Sequence, residues 1–193
     1  MRILVVFAHP CEDSFSASLH RQVVAALTAS GHEVDDCNLY AERFDPVLSR
    51  EERQGYHEVP SNQRGVQDYV DRLQRAEGLV LVFPVWNYGF PAILKGFLDR
   101  VFLPGVSFDL VDGTVRGRLH KVRLLVAVTT DGGGALRAVL VGDPPRRLVK
   151  RVIRAAVHPL ARCRYLALYD LNRATPAQRE AFMRKVGVTL GAV

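Results

Sequence analysis

Cysteine is scarce in this chain of 193 residues. Cys11, Cys37 and Cys163 are odd in number, form no C-x-x-C pair and imply no disulfide framework. The six histidines show no paired ligand spacing, so zinc and iron–sulfur chemistry have no donor set laid out for them. No apolar run approaches the roughly 18 residues of a membrane-spanning helix. The N-terminal run Ile3 to Ala8 is shorter than a signal peptide's and meets His9, Glu12 and Asp13 at once, so a reducing cytoplasm is expected. A Walker A pattern, a G-x-S-x-G elbow and a G-x-G-x-x-G fingerprint are all missing, which argues against P-loop nucleotide hydrolysis, serine hydrolysis and a Rossmann dinucleotide site. There is no internal repeat and no low-complexity segment.

What the chain does have is apolar mass, 48% of residues, enough for one buried α/β domain over residues 1–193 and short for two. Arg2 to Ala8 reads as a first, central strand. Residues 32–39 read as a second, more polar one near an edge, Gly78 to Phe83 as a third ended by Pro84, Val122 to Thr129 as a fourth and Arg164 to Tyr169 as a fifth. A helix should end near Ser30-Gly31, another should be capped by Asn62, another by Asp143 before Pro144-Pro145, and the last should open on the capping box Thr175 to Gln178. The stretch 40–61 carries little regular pattern, yet Tyr40, Phe44, Val47 and Leu48 suggest that it packs on the body. Residues 103–113 read as an irregular excursion with an Asp112-Gly113 turn. The pattern is a flavodoxin-like doubly wound five-stranded parallel sheet, order 2-1-3-4-5.

The formal charge is +6 and the pI about 9.5. Arg146, Arg147, Lys150, Arg151 and Arg154 alternate with aliphatics as the wet face of an amphipathic helix, and no nucleic-acid motif accompanies them. Cys11 is expected as small buried filler.

Ligands in such a sheet lie at the carboxyl ends of the strands. After strand one, His9 to Ser16 is a hydroxyl-rich loop opening a helix; it suits a phosphate, and equally Ser14 or Ser16 as a simple N-cap. After strand three, Trp86 (the only tryptophan), Asn87, Tyr88 and Phe90 form an aromatic loop around Gly89. After strand four, Thr129-Thr130-Asp131-Gly132-Gly133-Gly134 is glycine-rich. Phosphate, ring and close backbone approach together suit a flavin.

These pieces, with Leu39-Tyr40, Phe44-Asp45-Pro46-Val47-Leu48-Ser49, Phe83-Pro84, Pro91 to Gly96 and Arg100-Val101-Phe102, resemble the NAD(P)H:quinone oxidoreductase (DT-diaphorase-like) family of the flavodoxin-like fold. The resemblance implies a homodimer with flavin sites at the subunit interface and ping-pong hydride transfer from NAD(P)H to a quinone-like acceptor. By position, His9, Ser14, Phe15 and Ser16 would hold the phosphate side. Pro84, Val85, Trp86, Asn87 and Tyr88 would line the ring, with Thr129, Thr130, Asp131, Gly132 and Gly133 at its pyrimidine edge and amides of that last loop facing reduced-flavin charge. Trp86-Asn87-Tyr88 departs from the family's run. Arg137 stands where the family has a catalytic tyrosine, and no histidine is available near Val141. Arg137 is therefore the one speculative catalytic candidate, set against a surface arginine. The chain stops at Val193, short of a C-terminal segment that larger members carry, which favours FMN, with FAD the alternative.

A one-electron carrier of flavodoxin type fits poorly, since such carriers are strongly acidic. A regulatory subunit beside a membrane transport protein is the other alternative, giving a possible membrane-protein partner. No metal, no nucleic acid and no membrane insertion are expected.

Overall fold

Aliphatic runs with no polar face can be satisfied as strands only when both faces are covered. In the computed structural model, which describes residues 1–193, they form the middle of a sheet. The chain runs β1 (Arg2–Phe7), α1 (Phe15–Ala29), β2 (Glu33–Asn38), α2 (Arg50–Gln54), α3 (Gln67–Arg75), β3 (Gly78–Val85) and α4 (Ala92–Val101). There follow β4 (Phe108–Val111), β5 (Thr114–Gly117), β6 (Leu124–Asp131), α5 (Ala135–Leu140) and α6 (Pro144–Arg147). A π-helical stretch, Leu148–Ile153, then leads into α7 (Arg154–Ala156), β7 (Arg162–Leu168) and α8 (Pro176–Gly191).

The five-stranded sheet has the order β2-β1-β3-β6-β7 and every pairing in it is parallel. This is the expected 2-1-3-4-5 order, with β4 and β5 standing outside as an antiparallel pair. Side-chain alternation divides the core. Leu4, Val6, Leu79, Leu81, Phe83, Leu125 and Ala127 pack against α3, α4 and the π-helical stretch. Ile3, Val5, Val80, Val82, Val126 and Val128 pack against α1 and α8. Because all five strands run the same way, the loops after β1, β3, β6 and β7 emerge at one edge.

Several local expectations differ from what forms. Pro84 does not end β3, which continues to Val85 with Pro84 opposite Thr130. The ladder to β1 has already finished at Phe7–Val82, so β3 has an open side at the level of the missing N–H. The excursion around Asp112-Gly113 is a hairpin, both turn residues lying at positive φ (49° and 74°) as a two-residue turn requires. Asn62 does not cap α3; its amide donates to the carbonyls of Tyr56 and Pro104, and Val66 holds the cap position. Asp143 precedes α6 but caps nothing, because its carboxylate accepts from the Tyr169 hydroxyl at 2.6 Å. Thr175 and Gln178 do form the reciprocal capping box of α8.

The long stretch after β2 is held by α4. Phe44 is buried, whereas Val47 is 67% exposed. Ser49 and Glu52 cap α2 reciprocally, and Glu52 also accepts from Arg100, whose guanidinium lies over the Phe44 ring and donates to the Asp45 carbonyl. Burial alone would raise the Glu52 carboxyl; bonds from the Ser49 amide and Arg100 outweigh it and hold the group below its ordinary value of 4.5. Its contribution is therefore complete above that value and fades as pH falls through the lower, folded one. Arg100→Met is expected to cost about 2 kcal/mol. That is less than the roughly 3–5 of a fully buried pair, because the Glu52 side chain remains 21% exposed. Urea melts at pH 7 and pH 3 check this, with the loss smaller at pH 3.

Candidate functional site

The four loops at the carboxyl edge enclose a cleft of about 490 Å³. His9 and Ser14 line it from the β1–α1 loop, and Phe15 and Ser16 from the first turn of α1. Pro84 and Val85 line it from the end of β3, Trp86 and Asn87 from the turn that follows, and Thr130 and Gly132 from β6 and its turn. Leu171 and Asn172, from the loop after β7, complete it. Neither residue type nor spacing singles these two out in the sequence. Their signal was position alone, since β7 ends at the same edge as the other three strands.

The first wall is a helix N-terminus. Ser14 caps α1 by accepting from the Ala17 amide at 3.1 Å, so the capping role holds whatever else the loop does. The amides of Phe15 and Ser16 precede any intrahelical acceptor and have no protein partner, which leaves two donors at the positive end of the dipole. The Ser16 hydroxyl meets the Thr130 hydroxyl at 3.3 Å, joining this wall to β6. His9 Nδ1 accepts from the Cys11 amide at 3.0 Å, which places the neutral ring's proton on Nε2 as a remaining donor. Burial pushes the His9 pKa down, chiefly through lost solvation, and so maintains that neutral form. Cys11 is exposed, not buried filler: its amide is tied to His9 while its thiol faces water.

The second wall is a tight turn. Trp86 and Gly89 exchange both backbone bonds, at 3.2 and 2.8 Å, with Asn87 (φ 49°) and Tyr88 (φ 57°) between them in the left-handed region. Asparagine tolerates that conformation; for Tyr88 it costs about 1 kcal/mol. Trp86 is 41% exposed at the mouth and meets the His9 ring edge-on at 5.8 Å. Phe90 is turned inward against Phe83. Tyr88 leaves the cleft lining and reaches across towards Gly133, where an added Cβ would sit 3.6 Å from its hydroxyl.

The third wall is the glycine turn. An added Cβ on Gly132 would lie 2.8 Å from the Asn172 amide nitrogen, so glycine is what lets the two loops approach. The Gly133 amide donates to Asp131 Oδ1 at 2.7 Å and its carbonyl accepts from the Asp170 amide. That amide is thus committed within the protein rather than offered to a ring. Burial raises the Asp131 carboxyl, with the Gly133 bond opposing and Asp143 adding to the rise. Thr129 is buried on the opposite face of β6 from Thr130, and its hydroxyl has no partner. Arg137 lies exposed on α5, outside the cleft lining.

The residues fit a phosphate-bearing ring compound. There are free amides and hydroxyls at one end, an aromatic turn in the middle, and at Gly132 a backbone cradle closed by the Asn172 side chain, which an added Cβ would displace. No group of three or more His, Cys, Asp and Glu residues is placed to hold a metal ion.

A parallel five-stranded sheet with a phosphate-type helix N-terminus after its first strand defines a class of protein. The family model described as the flavodoxin-like fold matches residues 1–142, and the chain belongs to that family. Among individual relatives, NAD(P)H dehydrogenase [quinone] 1 of Cavia porcellus is 30% identical over 70% of this chain and 55% of its own length. An uncharacterized NAD(P)H oxidoreductase of Haemophilus influenzae is 33% identical over 67% of this chain and 64% of its own. The chain therefore spans a little over half to just under two-thirds of these relatives. The crystal structure of Smu.1420 from Streptococcus mutans UA159 superposes with a TM-score of 0.87 at 29% identity, covering all of both chains.

Proposed function

We propose that the chain is a single flavodoxin-like, flavin-binding domain over residues 1–193. It acts as a cytoplasmic NAD(P)H oxidoreductase that reduces quinones or similar acceptors by two electrons. The observation that carries this is the cleft itself, in which anion donors, an aromatic turn and a glycine cradle converge from separate strands. The names of the quinone-reductase relatives support the reaction class. When bound, the flavin supplies hydride transfer between nicotinamide and acceptor.

The protein's part is binding and orientation. Phe15 and Ser16 amides and the Ser14 and Ser16 hydroxyls hold the phosphate. His9 would donate from Nε2, and Pro84, Val85, Trp86 and Asn87 would line the ring. Thr130 and Gly132 bound the other side, while Tyr88 and Asp131 brace the Gly133 turn from outside the cleft. FMN is the preferred flavin, with FAD the alternative, and a second copy of the chain completes the enzyme. The apolar groove of about 480 Å³ between α4, the β4–β5 hairpin and the π-helical stretch, lined by Leu98, Phe102, Phe108, Leu148 and Ile153, is the surface such a copy would cover.

The purified protein is expected to be yellow, to release FMN on denaturation and to lose its colour rapidly on mixing with NADPH in a stopped-flow cell. A colourless protein that also takes up neither added FMN nor added FAD would end this reading.

A further inference from the structure

The net charge of this protein is concentrated in one stretch. Between Gly132 and Tyr169 there are eight Lys or Arg and one acidic residue, Asp143, a balance of +7 where the whole chain is +6. Asp143 is itself buried and engaged by Tyr169 and Arg146. Arg147, Lys150 and Arg151 are exposed and have no acidic partner. Everything outside this stretch sums to −1.

The helix beside these cations is inverted. In water a short helix buries its large apolar residues and exposes its small or polar ones. Here α5 buries only Ala138 and turns Leu136, Val139 and Leu140 outward, at 74%, 66% and 76% exposure. The two features touch. Arg147 lies against the Gly142 turn that ends α5, its Nη1 3.1 Å from where a Cβ on Gly142 would stand. The helix of Arg147 presents Val149 and Ile153 to the core and Leu148 to the apolar groove, which leaves Arg147, Lys150 and Arg151 for solvent.

We infer that α5 and this basic face form a docking surface for an anionic phospholipid bilayer, on which the protein lies without spanning it. Aliphatic side chains that enter the headgroup boundary, rimmed by cations that meet its negative charge, are the two components of interfacial binding. A second copy fits this face less well, since protein interfaces exclude charge from their cores and a pairing about α5 would set these cations against themselves. Nucleic acid would satisfy the cations and leave the leucines in water. The apolar groove next to α4 is a separate surface with the composition of a protein interface. On the reading of the cleft given above, such docking would present the flavin site to quinones dissolved in the bilayer; the docking itself does not depend on that reading.

The test is co-sedimentation of the full chain with vesicles of equimolar phosphatidylglycerol and phosphatidylcholine, and with vesicles of phosphatidylcholine alone. Binding is expected to the first and not the second, and to weaken as salt rises. Leu140→Glu, at a side chain already in water, should weaken binding about tenfold with an unchanged circular dichroism spectrum. Arg147→Gln, Lys150→Gln and Arg151→Gln together should weaken it about fivefold per charge. Three results each overturn the inference: no binding to anionic vesicles, binding that neither variant alters, or a Leu140→Glu variant that turns a dimer into a monomer by light scattering. So does retention on duplex DNA that matches vesicle binding and survives Leu140→Glu. Flavin content does not enter the readout, so a colourless protein would leave this result standing.

Discussion

Replacing Gly96 by alanine lowers stability by about 2 kcal/mol and the melting temperature by about 6 °C. This is the reverse of the substitution's ordinary effect, since alanine in a helix interior is favoured over glycine by roughly 1 kcal/mol. The cause is the neighbour of α4. A Cβ on Gly96 would stand 2.2 Å from the Pro46 carbonyl oxygen and 2.4 Å from Pro46 Cα. Both atoms belong to backbone that Arg100 and Phe44 already hold, so neither yields cheaply, and overpacking of this kind costs about 1–3 kcal/mol or more. Thermal melts of the two proteins, with limited proteolysis of residues 40–61, check the expectation. An alanine variant as stable as the parent, with the loop equally protected, would mean that Pro46 is free to move.

Gly132→Val is expected to act in the opposite way, sparing stability and removing the ligand. The nearest atoms to an added Cβ belong to the Asn172 side chain, which is exposed and can swing aside. The folding cost should therefore stay within about 0.5 kcal/mol. The displaced amide and the valine branches fill the cradle, and FMN affinity should fall about a hundredfold, near 2.7 kcal/mol. Titration of the apoprotein by flavin fluorescence quenching, beside a urea melt, separates the two effects. Undiminished affinity would take the glycine turn out of the binding reading.

Much of this architecture is legible from residue patterns because β3 and β6 are buried almost throughout and carry unbroken aliphatic runs. Polar β2 and half-buried β7 fall at the sheet edges, as their composition suggests. Legibility fails where a tertiary partner decides the outcome. Asn62 looks like a cap because its amide is polar, but two carbonyls from other segments claim it. Asp143 is similarly claimed by Tyr169. The β4–β5 strands are only four residues each and none is fully buried, so only their Asp-Gly turn spoke for them. Within the cleft, residues whose type suggested chemistry were found, while Leu171 and Asn172 contribute through where β7 ends. No local pattern marks them.

The Trp86–Gly89 turn and the Phe44–Leu48 loop are more than neighbours in space. α4 begins immediately after the turn and carries Gly96 and Arg100, the two residues that fasten the loop. If steadying the turn also steadies the loop through α4, reciprocity requires that a compound bound at the turn be held more firmly when the loop is fastened. The rate at which a protease cuts between residues 40 and 61, with and without added FMN, then measures that coupling on a segment outside the cleft lining.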